Sequence, residues 1–341
     1  MSGAIRETAR PAHRRADGRF ENPWPGDRAH GFGELMRWRR ERRAKPPVPP
    51  LLPGTLPRVA SSFDRPRAAP ETLTATWVGH ATTLLQIGSL NVLTDPMWSQ
   101  RASPLSWAGP ARVVPPAVTL DALPPVDMVL ISHNHYDHLD EQTVKGLQSR
   151  HAEAVWMAPL GVARLLRRWG VRQVHELDWW ATDRVADAEV ACVPARHFSA
   201  RTPWDRGKTL WCGWTIANDG WRVYFAGDTA YHPEFGQIAE RHGPFDLVLL
   251  PVGAYEPRWF MGSVHMNPED ALEAYGDLSR GHPDAPAPTL LPIHWGTFRL
   301  TDEPVTEPPA RLRARWADAD LPGGALWLAA HGQTHRRERP G

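Results

Sequence analysis

Residues 132–139 read Ser-His-Asn-His-Tyr-Asp-His-Leu and follow the apolar run Met128 to Ile131. That run has the length and composition of a buried strand, so the eight residues begin at a strand end. In extended chain, side chains two apart point the same way, so His133 and His135 can hold one ion. The chain then turns, and Asp137 and His138 address a neighbouring position. Neutral imidazole and carboxylate are the ligands that suit Zn²⁺ and its borderline neighbours. A lone histidine is usually a core or surface residue. Three histidines and an aspartate within residues 133–138 make a metal site the natural reading.

Working outward, the same strand-then-ligand pattern recurs. His197 follows Val190 to Val193, Asp228 follows Trp221 to Ala226, and His294 follows Thr289 to Ile293. Together these residues form a set of five histidines and two aspartates, enough for two ions sharing a carboxylate. Two ions ~3.5–4 Å apart clamp the attacking and leaving oxygens of a displacement.

Further short β-rich runs are Leu73 to Val78, Thr82 to Ile87, Leu90 to Thr94, Leu210 to Ile216, Leu247 to Val252 and Ala325 to Ala329. Gly88-Ser89 and Asn218-Asp219-Gly220 read as hairpin turns. Helices are predicted over Glu141 to Gln148 behind the cap Asp140, Val162 to Trp169, Glu234 to His242, and Pro268 to Leu278 behind the cap Asn267. A β meander followed by strand-helix alternation predicts an α/β fold of two sheets with helices outside.

Charge divides the chain. Residues 1–70 hold 15 Arg or Lys against 7 Asp or Glu, although the whole chain carries a net charge of only +1. This first stretch includes a short basic helix, Glu34 to Arg43, and the proline-rich Pro46 to Pro57. It is read as an arm, either solvated, docked on a membrane surface or packed along the catalytic domain, ahead of a catalytic domain over 71–335 and a tail over 336–341. The near-zero balance removes the electrostatic case for a nucleic-acid binder. Two cysteines, Cys192 and Cys212, cannot make a disulfide framework and read as core residues of a cytoplasmic protein. No apolar run approaches the ~20 residues of a membrane span, and the first residues lack the apolar stretch of a secretory signal.

The pattern H-x-H-x-D-H with distant His, Asp and His resembles the metallo-β-lactamase superfamily. Within it the chain is similar to the N-acylphosphatidylethanolamine-hydrolysing phospholipase D family. The similarity rests on Trp77 to Ala81 (WVGHA), Leu93 to Pro96 (LTDP), Val129 to Leu139 and Leu177 to Trp180 (LDWW). It extends through Phe225 to Thr229 (FAGDT), Gly243 to Leu247 (GPFDL), Gly253 to Met261 (GAYEPRWFM) and Ile293 to Phe298 (IHWGTF), and includes Arg19 to Pro25 (RFENPWP) in the arm.

The resemblance implies an αββα four-layer sandwich of two facing mixed sheets with helices outside. It implies two zinc ions per chain: one on His133, His135 and His197, the second on Asp137, His138 and His294, with Asp228 bridging. A hydroxide shared by the ions would attack phosphorus, giving N-acylethanolamine and phosphatidic acid. Tyr136, facing the metals, and His265 are the candidates for holding the phosphate, and His265 alternatively for protonating the leaving group. Asp95 is placed to orient a ligand histidine. A phospholipid substrate, a peripheral membrane surface and a homodimer complete the expectation.

Phe198 to Thr202 and Gly262 to Val264 depart from the family's mammalian sequences and are expected on the substrate side. Three other readings compete. A lactonase or other carbonyl ester hydrolase would use the same ions. A non-catalytic lipid-binding scaffold is disfavoured by the complete ligand set. A nuclease lacks a basic face beyond the arm.

Overall fold

The computed structural model describes residues 12–24, 31–46, 51–52 and 54–339. Its strands are β1 (Thr72–Gly79), β2 (Thr82–Ile87), β3 (Leu90–Thr94), β4 (Met128–Leu130), β5 (Val155–Pro159), β6 (Val174–Leu177), β7 (Thr182–Val185), β8 (Ala188–Val193), β9 (Gly213–Asn218), β10 (Trp221–Phe225), β11 (Leu247–Pro251), β12 (Thr289–Ile293) and β13 (Thr334–Glu338). The helices are α1 (Phe32–Ala44), α2 (Glu141–Arg150), α3 (Ala163–Arg168), α4 (Glu234–His242), α5 (Arg258–Met261), α6 (Pro268–Arg280) and α7 (Glu307–Asp318).

One sheet runs β13-β1-β2-β3-β4-β5-β6 and the other β12-β11-β10-β9-β8-β7. Both are mixed: β3 to β6 are parallel, as are β10 to β12, and the remaining pairs are antiparallel.

Alternation along the strands explains the layering. In β4, Met128 and Leu130 enter the core between the sheets, while Val129 joins the layer under α2 and α3 with Val144, Leu147 and Leu166. In β11, Leu247 and Leu249 face the first sheet, while Val248 and Leu250 pack on Phe235, Ile238, Tyr275 and Trp316 from α4, α6 and α7. Both faces of each sheet are covered, which is why these strands read as continuous apolar runs. The result is the αββα sandwich. Trp77, Trp214, Trp221 and Phe225 are fully buried between the sheets, and truncating such a side chain costs about 3–5 kcal/mol. Cys192 and Cys212 lie in this core as free thiols.

The two hairpin turns meet. Asp219 and Gly220 both have positive φ, and the Asp219 carboxylate accepts from Ser89 N at 2.9 Å and Ser89 Oγ at 2.8 Å. A Cβ on Gly88 would lie 2.3 Å from that carboxylate, so only glycine fits there.

Several expectations are corrected. Ala325–Ala329 is not a strand: Gly323–Ala325 forms a 3₁₀ turn, and only Leu326 bridges to Leu290. The strand expected from Leu210 begins at Gly213. The tail expected from 336 instead supplies Arg336–Glu338 to β13, and residues 340–341 lie outside the described residues.

Of the readings open for the arm, its described residues show packing along the rest of the chain. His13 Nε2 and Arg14 Nη2 each lie 2.7 Å from the Asp178 carboxylate. Phe20 N donates to Gly207 O at 2.7 Å, and Trp24 Nε1 to Glu234 Oε2 at 2.5 Å. Helix α1 is tied down by Lys45 Nζ on Asp302 at 2.7 Å and by Trp38 stacked on Phe260. Within the proline-rich stretch, residues 47–50 and 53 lie outside the described residues, as does Pro25.

Candidate metal centre

All seven expected ligands lie just beyond strand ends. His133, His135, Asp137 and His138 follow β4; His197 follows β8, Asp228 follows β10, and His294 follows β12. Strands β8, β10 and β12 run the same way, so their C-terminal ends share one edge of the second sheet. The structure brings the seven together in two groups.

In the first group, His135 Nδ1 lies 2.8 Å from His133 Nε2 and 3.2 Å from His197 Nε2. In the second, Asp137 Oδ2 lies 3.3 Å from His138 Nε2 and 3.4 Å from His294 Nε2. Asp228 Oδ2 stands between them: 3.0 Å from His138, 3.2 Å from His294, 3.8 Å from His133 and 3.9 Å from His197.

The tautomers favour cation binding. His197 Nδ1 donates to the Val264 carbonyl at 2.9 Å, leaving the Nε2 lone pair for the cluster. His138 Nδ1 donates to Asp95 Oδ2 at 2.7 Å. Ser132 Oγ gives its proton to Asp95 Oδ2 at 2.5 Å and therefore accepts from His133 Nδ1 at 2.8 Å. One carboxylate thus orients a histidine of each group, since a hydrogen bond to one ring nitrogen fixes the tautomer and aims the other nitrogen. Asp228 Oδ1 and the Nε2 atoms of His138 and His294 are buried without a hydrogen-bond partner. Buried polar atoms left this way are costly, and a cation would satisfy them together.

Electrostatics separates the groups. Burial holds His133 well below its usual range and pushes His135 to about 3 and His197 to about 4, so these are neutral donors. Burial also opposes charge on His138 and His294, but Asp228 and Asp137 outweigh it. His138 is held well above its usual range and His294 is raised to about 9. Burial works against ionising Asp137 and Asp228, yet His138 and His294 keep both well below the carboxylate range. The second group therefore demands positive charge, from protons or from a metal.

The centre opens into a cavity of about 870 Å³. Its lining includes the apolar Leu35, Trp38, Phe260, Met261 and Val264, with Trp38 stacked on Phe260, and the charged Arg15, Arg19 and Arg206, of which Arg15 is paired with Asp17 and Glu21. His265 lines this cavity, its ring 5.0 Å from that of His197 and 5.4 Å from that of His294. Tyr136 is a correction. Its ring lies 3.9 Å from the Arg201 guanidinium and lines a different cavity with Trp169. His135 turns inward, so the next residue in the loop turns away. Of the departing residues, Phe198 and Val264 line the metal cavity, whereas Arg201 donates to the Asn134 and Leu139 carbonyls and braces the ligand loop.

Three contributors carried no metal-ligand signal in the sequence. His80, in a turn quoted only for its resemblance, places Nε2 2.9 Å from Asp137 Oδ2. Ser132 relays Asp95 to His133. Asn22, from the arm, donates to the His197 carbonyl at 2.9 Å.

A family model for the beta-lactamase superfamily domain matches residues 90–295. An uncharacterized protein of Mycobacterium tuberculosis is 50% identical over 244 residues, covering 71% of this chain and 63% of that protein. The chain thus matches under two thirds of that relative's length. The N-acyl-phosphatidylethanolamine-hydrolyzing phospholipase D 1 of Caenorhabditis elegans is 39% identical over 252 residues, covering 71% of this chain and 69% of the worm protein. Among solved structures, a metallo hydrolase from the archaeon Ignicoccus hospitalis matches with a TM-score of 0.58 and 24% identity, over 79% of this chain and all of the other. That last likeness concerns the fold.

Proposed function

The chain belongs to the β-lactamase superfamily, and from that premise we propose that it is a dinuclear zinc phosphodiesterase of the phospholipase D type. The proposed substrate is an N-acylphosphatidylethanolamine, cleaved to N-acylethanolamine and phosphatidic acid. The observation that supports the reading is the cavity, whose lining combines residues of both donor groups with apolar side chains and arginines. Such a space suits an amphiphile whose phosphate sits at the centre. The 39% identity to the worm phospholipase D supports the same substrate class.

His133, His135 and His197 would hold one ion, Asp137, His138 and His294 the other, with Asp228 between them. Bound zinc supplies a Lewis acid and lowers the pKa of water to about neutral. Asp95 keeps His138 and, through Ser132, His133 in the ligating tautomer. The half-buried His265 is neutral, since desolvation holds it well below its usual range, and its ring N–H can donate to a phosphoryl oxygen. The apolar lining residues Leu35, Phe260, Met261 and Val264 would contact the acyl chain.

The same proposal includes peripheral attachment to a bilayer and a homodimer. Among the described residues no helix is long and apolar enough to cross a membrane. On the surface of α1, the exposed side chains include Met36, Arg39, Arg40 and Arg43, a mixture suited to an anionic lipid surface.

The test is elemental analysis of the purified protein with mass spectrometry of phospholipid products formed in ¹⁸O water. Two ions per chain, and ¹⁸O in the phosphatidic acid phosphate, are expected. Free fatty acid as the sole product would move the assignment to a carbonyl hydrolase.

A further inference from the structure

His80 is fully buried in the turn between β1 and β2, away from the sequence segments that supply the seven donors. Its side chain reaches one member of the second donor group: Nε2 lies 2.9 Å from Asp137 Oδ2. A carboxylate oxygen only accepts, so Nε2 carries the proton and is committed to Asp137. Its main chain holds another member. The His80 carbonyl accepts from His294 N at 3.0 Å and from Trp77 Nε1 at 2.9 Å. Its ring lies 4.1 Å from the His294 ring and 5.2 Å from that of His138.

The turn itself is clamped. His80 and His294 both have positive φ, 57° and 64°, in the region that L residues rarely adopt. His80 N donates to Thr297 Oγ1 at 2.7 Å, and that hydroxyl also meets His331 Nε2 at 3.0 Å. Two strained turns are therefore bonded to each other, and between them they carry a ligand and the group that aims a second ligand. Strain of this kind persists where the surroundings over-determine it, and it clusters at functional sites.

We propose that His80 is a positioning residue of the second ion site, fixing the Asp137 carboxylate with its imidazole N–H and His294 with its carbonyl. It shares Asp137 with the ion but is not counted among the ligands, because its proton-bearing nitrogen already faces the carboxylate. The proposal rests on the two-ion reading above.

The experiment compares wild type, His80→Leu and His80→Gln as metal-loaded full-length proteins. The glutamine amide can replace the N–H donor; leucine cannot. Each protein is titrated with a chelator while bound metal is counted, and each is also loaded with cobalt(II) for its visible spectrum. His80→Leu is expected to lose one ion at roughly 10–100-fold lower free chelator than wild type, as removal of an outer partner of a ligand does. Its cobalt spectrum should change, while His80→Gln recovers most of the affinity. A purely structural role would lower the melting temperature and leave the spectrum of the folded protein unchanged. Equal chelator resistance and identical spectra in wild type and His80→Leu would overturn the proposal.

If His80→Leu does not fold, His80→Asn, whose shorter amide falls short of Asp137, takes its place beside His80→Gln. Equal metal retention in those two would also overturn it. The wild-type ion count tests the two-ion reading by itself, so the two ideas fail separately.

Discussion

Asn22 grips the back of a proposed metal ligand: its side-chain amide donates to the His197 carbonyl at 2.9 Å, and its Oδ1 accepts from Trp211 Nε1 at 3.1 Å. Residues near the start of the chain are thereby part of the centre's support. Deleting residues 1–45 should lower thermal stability and reduce activity on vesicles and on a water-soluble phosphodiester alike. An arm serving only to dock on membrane would spare the soluble substrate. Asn22→Ala alone should cost about 1–3 kcal/mol, the penalty for leaving the His197 carbonyl without its donor, since Trp211 Nε1 keeps the Ala195 carbonyl at 2.9 Å; the readout is a lower melting temperature.

Asp95 serves His138 directly and His133 through Ser132. Asp95→Ala should therefore weaken both proposed ion sites, by roughly 10–100-fold in metal affinity, whereas Ser132→Ala should weaken mainly the first. Metal counts during chelator titration separate the two patterns.

The same residues show how much could be read before the structure. His133 to His138 were legible because four donors fall within six positions beside an apolar strand. His197, Asp228 and His294 repeated that arrangement. Two sheets with helices outside were legible from the early β meander and the later strand-helix alternation, and the four-layer sandwich from the family resemblance. What stayed hidden lacked such a signal. Strand β13 is Thr-His-Arg-Arg-Glu, an edge strand recognisable only by its pairing with β1. Helix α7 opens on Pro308-Pro309 and is rich in arginine. The fate of residues 12–24 depends on long-range ion pairs such as Arg14 with Asp178, which no local pattern reveals. Tyr136, which the resemblance places at the metals, packs on Arg201 instead, on the side of the loop away from His135.

Asp228 Oδ2 lies within 3.9 Å of nitrogens from both donor groups, whereas His133 belongs to one. Asp228→Ala should therefore release more metal than His133→Ala, measured per folded chain by elemental analysis. Equal losses would remove Asp228 from the bridging position.

His331 lies apart from the donors, with its ring 4.3 Å from Trp77 and Nε2 3.0 Å from Thr297 Oγ1. Burial, with Arg112 and Arg58 nearby, pushes its pKa down to about 3 from 6.5. Between those values the unfolded chain binds a proton that the folded chain refuses. Stability then rises with pH, and it is lost as pH falls from 6.5 toward 3. One such group contributes a slope of up to about 1.4 kcal/mol per pH unit. His331→Gln should flatten the acid limb of a denaturant-unfolding series by about that amount. An unchanged limb would mean that His331 takes up its proton without unfolding.

His265 tests how phosphate is handled. It lines the cavity beside His197 and His294, and burial holds it well below its usual range. A neutral ring is a poor acid but a good N–H donor, so its proposed work is to bind a phosphoryl oxygen as negative charge develops. Removing one such donor typically lowers kcat by about 10²–10³. His265→Ala should show a loss of that size, and His265→Gln, which keeps an N–H, should recover part of it. The loss should be alike for N-acylphosphatidylethanolamine, whose alkoxide needs a proton to leave, and for a nitrophenyl phosphodiester, whose nitrophenolate does not. If His265→Ala slows only the phospholipid and leaves the nitrophenyl ester untouched, His265 protonates the leaving group instead, and the donor assignment falls.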